Sequence, residues 1–382
     1  MSLAKENNLL HSQTVLKKIS TKNGKAWTTT LFDNDGKLYI PPFKEIPTST
    51  MTIIAHTNLV INTDKFFKYI PITDFVVVKK KRGRKRKIAT EDPNRFVPPG
   101  SVISLTKRRL VRGVILKAKK KKSKTFFRHS VSTVMVLQPG KNINVKVSNS
   151  GKFQMTGCKS INHAIEFIKH IYSLMIETEE WTGETLFTYK SDDYEVEEDF
   201  TANYDNEEDE LIESEKNLER SKNDGLSVIF QIAMRNIDFT TGYRIRRDKL
   251  DNFINRFTEF RSVFESSIGN SSVNIKLPAK KTIDNSLKRL RITSKGEVIE
   301  DTIDSETFYQ LLPDKDKKQI DKNSEDANHT FLAFASGSII FSSCGDESQS
   351  VFYKFIKILI EQRHNIEEIS KMLNIDTNWM DE

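Results

Sequence analysis

Two clusters of cationic side chains are the residues best suited to chemistry here, and the chemistry they suit is recognition of anions. Lys79 to Lys87 reads KKKRGRKRK, with Arg82 and Arg84 at its centre, and Lys117 to Lys124 reads KAKKKKSK. Such runs neutralise phosphates, serve as a nuclear-localisation signal or simply form solvated surface. Other chemistry is thinly provided for. The two cysteines, Cys158 and Cys344, and seven scattered histidines make no metal-ligand constellation. No paired carboxylate or lysine nucleophile motif points to catalysis, so neither an enzyme nor a cofactor is expected.

Composition sets the frame around these clusters. At 382 residues, 37% hydrophobic and 29% charged, the chain is long enough for two domains and reads as a soluble protein with loop-rich parts. No apolar run reaches membrane-spanning length, and no N-terminal secretory pattern is visible. The sparse cysteines favour a reducing compartment and argue against a disulfide. A net charge of +8 and a pI near 9.1 favour an anionic partner. Local charge matters more. The basic runs bracket one loop region, whereas Ser191 to Asp224 is strongly acidic and poor in core-forming residues, which predicts a flexible linker.

The elements that would position these groups centre on Lys141 to Met175. Alternation over Asn142 to Val147, a turn at Asn149-Ser150-Gly151 and a return strand from Phe153 predict a hairpin. A helix follows, capped by Ser160 or Asn162, with Ala164, Ile165, Ile168, Ile171, Tyr172 and Met175 on one face. The same unit recurs near the C-terminus, where Gly337, Ser342 and Cys344 lie over Gly151, Thr156 and Cys158 at an offset of about 186 residues (337 − 151). Further matches set Ser132–Pro139 over Ser271–Pro278, Asp64-Lys65-Phe66 over Asp248-Lys249-Leu250, and Asn58 over Asn236. The offsets differ because each copy carries a large insertion, placed in surface loops, the first with a strand or two over Val102 to Lys117 and the second with a hairpin about Lys295-Gly296 and a polar stretch over Asp314 to Asp326.

The predicted organisation is an N-terminal arm over 1–48, a first repeat over 49–180 with a basic insertion at about 77–125, and an acidic linker over 181–225. A second repeat follows over 226–362 with an insertion at about 279–328, then a tail helix over 363–382 centred on Ile366 to Leu373. Each copy reads strand, helix, several strands, helix. Met155, Phe153 and Phe341 are assigned to the core. The opposite sheet face is expected to be apolar and bare, because Leu332, Phe334, Ile340 and Ser342 share it by the period of two.

Phe334-Ala-Ser-Gly-Ser-Ile-Ile-Phe-Ser-Ser-Cys344 resembles the signature hairpin of the TATA-box-binding protein family, and Ser148-Asn-Ser-Gly-Lys-Phe-Gln-Met-Thr-Gly-Cys-Lys159 is similar to it. Asn58 and the Asp64 helix fit that family's opening strand and first helix. The resemblance implies an α+β fold of two pseudo-symmetric repeats, a curved antiparallel sheet forming a saddle with its helices on the convex side. It implies a concave face pressed into the minor groove, widening it and bending the duplex. Thr156 and Ser342 would read minor-groove acceptors, Gln154 and Ser148 would share their face, and Lys152 and Lys159 would reach phosphates.

Of the four intercalating phenylalanines that the resemblance implies, Phe334 falls in place and Ser148 or Val147 occupies the first-repeat counterpart. Counting back from Pro139 and Pro278 brings the other two wedge positions to His129 and Ile268, with Phe126 and Phe127 near enough to substitute; Phe96 is a competing match. The minor-groove asparagines of the opening strands become Thr52 and Phe230. Arg82-Gly83-Arg84 also resembles the core of an AT-hook, with Lys85 where that motif has proline.

The leading expectation is a monomeric TATA-box-binding-like protein that binds double-stranded DNA and engages initiation factors or RNA polymerase machinery. It would work in a nucleus or a cytoplasmic viral replication compartment, since the Lys-, Asn- and Ile-rich composition resembles coding from an A·T-rich genome such as that of a large DNA virus. The alternative is a packaging protein that uses the fold and the basic loops nonspecifically. The acidic linker is further expected to lie against the DNA face as a mimic.

Overall fold

The computed structural model describes residues 29–30, 40, 42–77, 93–115, 129–190, 225–265, 272–280 and 283–368. In chain order these form β1 (Thr29–Thr30), β2 (Thr48–Thr57), β3 (Leu59–Ile61), α1 (Thr63–Tyr69), β4 (Ser101–Lys107), β5 (Leu110–Gly113), β6 (Ser130–Gln138), β7 (Lys141–Ser148), β8 (Lys152–Cys158), α2 (Ile161–Thr182) and β9 (Phe187–Tyr189). There follow β10 (Leu226–Thr240), α3 (Arg247–Phe257), β11 (Arg261–Val263), β12 (Val273–Pro278), β13 (Ser286–Ile292), β14 (Val298–Asp304), α4 (Ser305–Gln310), α5 (Asp314–Glu325), β15 (Asn328–Ala333), β16 (Ser338–Ser343), α6 (Ser348–Glu361) and α7 (Arg363–Ile366). This is an α+β chain in which antiparallel pairing dominates. It divides into two compact units, a first of Thr50–Met234 with Ile283–Asp321 and a second of Met1–Ser49, Arg235–Thr282 and Lys322–Glu382.

In the first unit the strands run β14-β13-β10-β2-β8-β7-β6-β4-β5, and β3 pairs separately with β9. The alternation of β2, β7 and β8 sends Ile53, Ala55, Val145, Val147, Phe153 and Met155 to one side, where all are buried. That side is sealed by α2, whose Ala164, Phe167, Ile168, Ile171 and Met175 repeat at helical spacing and are fully withdrawn from water. Phe167 meets Phe153 edge-on at 6.2 Å. The helix stops at Gly183, whose φ of 70° is a left-handed conformation that a side chain would disfavour.

In the second unit the order is β11-β12-β15-β16, then the later part of β10, from Arg235 to Thr240. Here Phe331, Ala333, Ile339 and Phe341 face α6, and Phe331 stacks on Phe355 with centroids 4.0 Å apart. Part of the predicted arm belongs to this core. Ile46 is buried there, Phe43 lies 5.4 Å from the Phe352 ring, and its N–H donates to the Tyr353 hydroxyl at 2.8 Å.

The two hairpin turns are built alike. Gly151 and Gly337 have φ of 74° and 84°. A Cβ on Gly151 would lie 2.0 Å from the Leu59 carbonyl oxygen and 2.6 Å from Thr57 Oγ1; on Gly337 it would lie 2.0 Å from Tyr243 O and 2.6 Å from Thr241 Oγ1. Each threonine hydroxyl donates to a carbonyl in the same turn region, Thr57 to Gly151 O at 2.7 Å and Thr241 to Tyr243 O at 2.7 Å. The strand order from opening strand to second helix likewise recurs in each unit.

Several expectations are revised. Thr57 and Leu59 stand to the first turn as Thr241 and Tyr243 stand to the second, so the opening strands match at an offset of 184 (241 − 57), which sets Asn236 against Thr52 and leaves Asn58 without an asparagine counterpart. Phe230, expected at the Thr52 position, is a core residue. The β6 and β12 match also slips. Thr133 pairs with Val145 and Ile275 with Phe331, so Ile275 answers Thr133 rather than Val136.

The two prolines are not equivalent, since Pro278 pairs with Asn328 as Val136 pairs with Asn142, and a register irregularity between Val136 and Gln138 accounts for one residue of the slip. The hairpin expected about Lys295-Gly296 is present as β13 and β14, and the strands expected over Val102 to Lys117 as β4 and β5, whereas α4 and α5 fold a stretch of the second insertion that was expected to be a polar loop. The opening residues of the predicted linker belong to the end of α2 and to β9. A short helix, α7, ends at Ile366, where the tail helix was expected to begin, and that expected helix lies from 369 on outside the described residues. Both basic runs, the acidic stretch over 191–224, Phe126, Phe127 and Ile268 lie outside the described residues.

Because both glycines combine a positive φ with backbone at their Cβ positions, Gly151→Ala and Gly337→Ala should each destabilise the protein by on the order of 2 kcal/mol or more. Chemical denaturation checks this. A loss near zero at either site would mean the turn is free to open.

Candidate nucleic-acid interface

The sheet faces turned away from α2 and α6 carry part of the site predicted from sequence, Leu332, Ile340 and Ser342 in the second unit and Gln154 and Thr156 in the first. In the second unit cross-strand register builds two rows, Lys276-Thr330-Ser342-Asn236 and Asn274-Leu332-Ile340-Asp238. Phe334 continues the parity of Thr330 and Leu332 just beyond the end of β15, its carbonyl accepting from Gly337 N at 3.0 Å. Leu332, Phe334, Ile340 and Ser342 are therefore brought together, each partly exposed. The Oδ1 atoms of Asn236 and Asn274 are buried and have no hydrogen-bond partner among the described residues. A buried amide left in that state is costly unless something else completes it. Ser49 adds a hydroxyl that donates to Asn236 O at 3.1 Å and to Asp238 Oδ1 at 3.2 Å.

The first unit builds the same rows from different side chains. Thr52, Thr156 and Asn144 form one row, and Ile54, Gln154, Lys146 and Ser132 the next. Gln154 and Lys146 thus stand where the second unit has Ile340 and Leu332. The expectation of an apolar bare face is met in the second unit only around Leu332, Ile340 and Phe334, since Lys276, Asn274, Asn236 and Asp238 share that face, and it is corrected for the first unit, whose face is polar. Thr156 is exposed and donates to Asn144 O at 3.3 Å. Ser148, at the position of Phe334, spends its hydroxyl on its own turn, sharing a hydrogen bond with Ser150 at 2.8 Å and accepting from Lys152 N at 3.2 Å.

Three predicted contacts are otherwise engaged or elsewhere. Asn58 is a brace: its side chain donates to Gly225 O at 3.0 Å and accepts from Ser227 N at 2.9 Å, fastening the end of β2 to the start of β10. Lys152 makes an ion pair with Asp316 of α5 at 2.5 Å. Lys159 is exposed at the entry to α2, where its N–H donates to His163 Nδ1 at 3.2 Å. Arg82, Arg84 and Phe127 fall outside the described residues, and Phe96 is exposed under the Arg95 guanidinium, 4.5 Å from its ring centroid. Sequence reasoning missed Asn236, Asn274, Lys276 and Lys146; strand alternation carried the signal for all four.

Neither Cys158 nor Cys344 is in a disulfide, and burial pushes the Cys158 thiol up to about 11, so it stays protonated near neutral pH. Among the described residues no group of three or more His, Cys, Asp or Glu could hold a metal ion. No described helix is long and apolar enough to cross a membrane.

His56 shares the non-helix face with Ile54 and lies across from Lys152. Burial lowers its pKa to about 4, opposed by its hydrogen bond with Gln231 at 3.1 Å. Below about pH 6.5 the unfolded chain takes up a proton that folded His56 refuses until about pH 4, so acidification through that window destabilises the fold. Buried His329, also lowered by burial, acts in the same direction. The His56 share is at most roughly 3 kcal/mol. Denaturation at stepped pH should show stability falling across this window and a shallower fall for His56→Gln; an unchanged slope would contradict the assignment.

No protein-family model matches the chain. A protein described as TATA-box-binding protein-like, from Acanthamoeba polyphaga mimivirus, is 27% identical over 276 residues, covering 64% of this chain and 59% of that relative. The chain thus spans less than two thirds of the relative it matches. Among solved structures, the TBP of Methanococcus jannaschii aligns with 83% of this chain and 99% of its own, at 10% identity and a TM-score of 0.34.

Proposed function

We propose, from the premise that this chain is a diverged relative of the TATA-box-binding protein-like proteins, that it binds duplex DNA through the minor groove and supports transcription initiation without catalysing a reaction. The observation that carries the reading is the second unit's uncovered face, where Asn236 and Ser342 stand side by side next to Ile340, Leu332 and Phe334. Small polar groups beside apolar ones suit a groove that offers only acceptors at A·T pairs and exposes sugars along its walls. The partly exposed Asn236 side chain fits this chemistry, because an amide NH2 beside the Ser342 hydroxyl can donate to a base acceptor. Phe334 is the side chain placed to wedge into a base step, a contact that flexible A·T-rich steps make cheaper.

Initiation factors or polymerase subunits are the proposed protein partners, and a nucleus or viral replication compartment the proposed setting. A second reading, nonspecific DNA packaging, draws support from the polar first-unit face with Lys146 and Gln154, which has no obvious means of reading sequence. The two separate in one titration. Promoter-like recognition gives preference for A·T-rich duplexes, whereas packaging gives a steep salt slope without preference.

Fluorescence transfer across a doubly labelled A·T-rich duplex should report bending by the wild-type chain. Phe334→Ala should abolish the bend and weaken binding by roughly tenfold or more. Equal bending by both proteins would remove Phe334 from the interface, and an absence of binding would overturn the reading.

A further inference from the structure

The second insertion places part of itself on the face that the proposed function gives to DNA. The β13–β14 hairpin extends the sheet beside Leu226 to Phe230. Its alternation splits the side chains between the two faces. Leu290 joins the core under α2, and Glu300, directly across from it, reaches Lys169 of α2 at 3.1 Å. Leu287 and Ile303, also paired across the hairpin, turn the opposite way. With Ile229, Phe308 and Leu312 they make a separate small apolar cluster on the non-helix face.

The two helices that follow are held very differently. Phe308 of α4 is fully buried, and its ring meets His56 edge-on at 5.2 Å, so α4 is fixed over the β10 end of that face. By contrast α5 reads DKDKKQIDKNSE and buries no residue. Its half-buried Ile320 packs against the cluster. Polar contacts do the rest, with Asp316 on Lys152 at 2.5 Å and Asp321 accepting from the Tyr309 hydroxyl at 2.8 Å. Lys152 lies on the strand that also carries Gln154 and Thr156.

We propose that α5 is a displaceable strap: its Asp316 carboxylate occupies the Lys152 ammonium that a DNA phosphate would take, and duplex DNA must lift the helix to engage the first unit. This rests on the DNA-binding reading. A carboxylate and a phosphate compete for one ammonium, so whatever stabilises the closed strap is subtracted from DNA affinity. An ion pair of this exposure supports a modest effect, which suits a contact meant to open. α4 stays in place throughout, anchored by Phe308.

The test uses the full chain and an A·T-rich duplex at moderate salt. Asp316→Asn should bind roughly threefold to tenfold more tightly than wild type. Asp314→Asn makes the same change of charge at an exposed carboxylate of the same helix and should bind like wild type. In parallel, amides of 314–325 should exchange faster with solvent deuterium once the duplex is added. If the wild-type chain binds but the two variants behave alike, or if α5 exchange is unchanged on binding, the strap is overturned while the DNA reading stands. If neither wild type nor Asp316→Asn binds, both fall together.

Discussion

A β-strand can give only every second side chain to a core, and in this protein that rule decides everything downstream. In each unit the helices α2 and α6 seal one sheet face, and the residues between the core positions are committed to the other. A substitution in β15 or β16 therefore acts on the core or on the opposite face according to its parity alone. Phe341 belongs to the core and Ile340 beside it does not.

The two uncovered faces share a plan and differ in chemistry. Leu332 and Ile340 in the second unit are answered by Lys146 and Gln154 in the first, and Phe334 by Ser148. The first unit's face also bears Phe308 and α5 from the insertion, whereas the second unit's face carries asparagine oxygens with no partner among the described residues. Leu332, Ile340 and Phe334 thus set the one face apart, and Lys146, Gln154 and the Lys152–Asp316 pair the other.

Much of this was legible in the residues. Gly151 and Gly337 announced the hairpins because the turns need positive φ and leave no room for a Cβ. The helix faces of α2 and α6 and the core places of Phe153, Met155 and Phe341 followed from periodicity. The match of Asn58 to Asn236 misled because identity of residue type outweighed register, which runs through Thr57 and Thr241. Pro139 and Pro278 misled in the same way across an irregular strand. The polar helix α5 has too few apolar residues for a period to show, although Asp304, which accepts from Thr307 N at 2.8 Å, marks the start of α4. That the insertion would fold back on the sheet depends on Phe308 meeting His56, a long-range contact that no local pattern encodes.

The central claim is that the sheet faces turned away from α2 and α6, above all that of Ser342, Ile340 and Phe334, meet DNA in its minor groove. Hydroxyl-radical footprinting of the full chain on an A·T-rich duplex tests it most directly. The account predicts protected sugars facing one another across the minor groove, with protection lost when Ser342 and Ile340 are both replaced by glutamate. Protection confined to the major groove, or a footprint indifferent to those replacements, would contradict it.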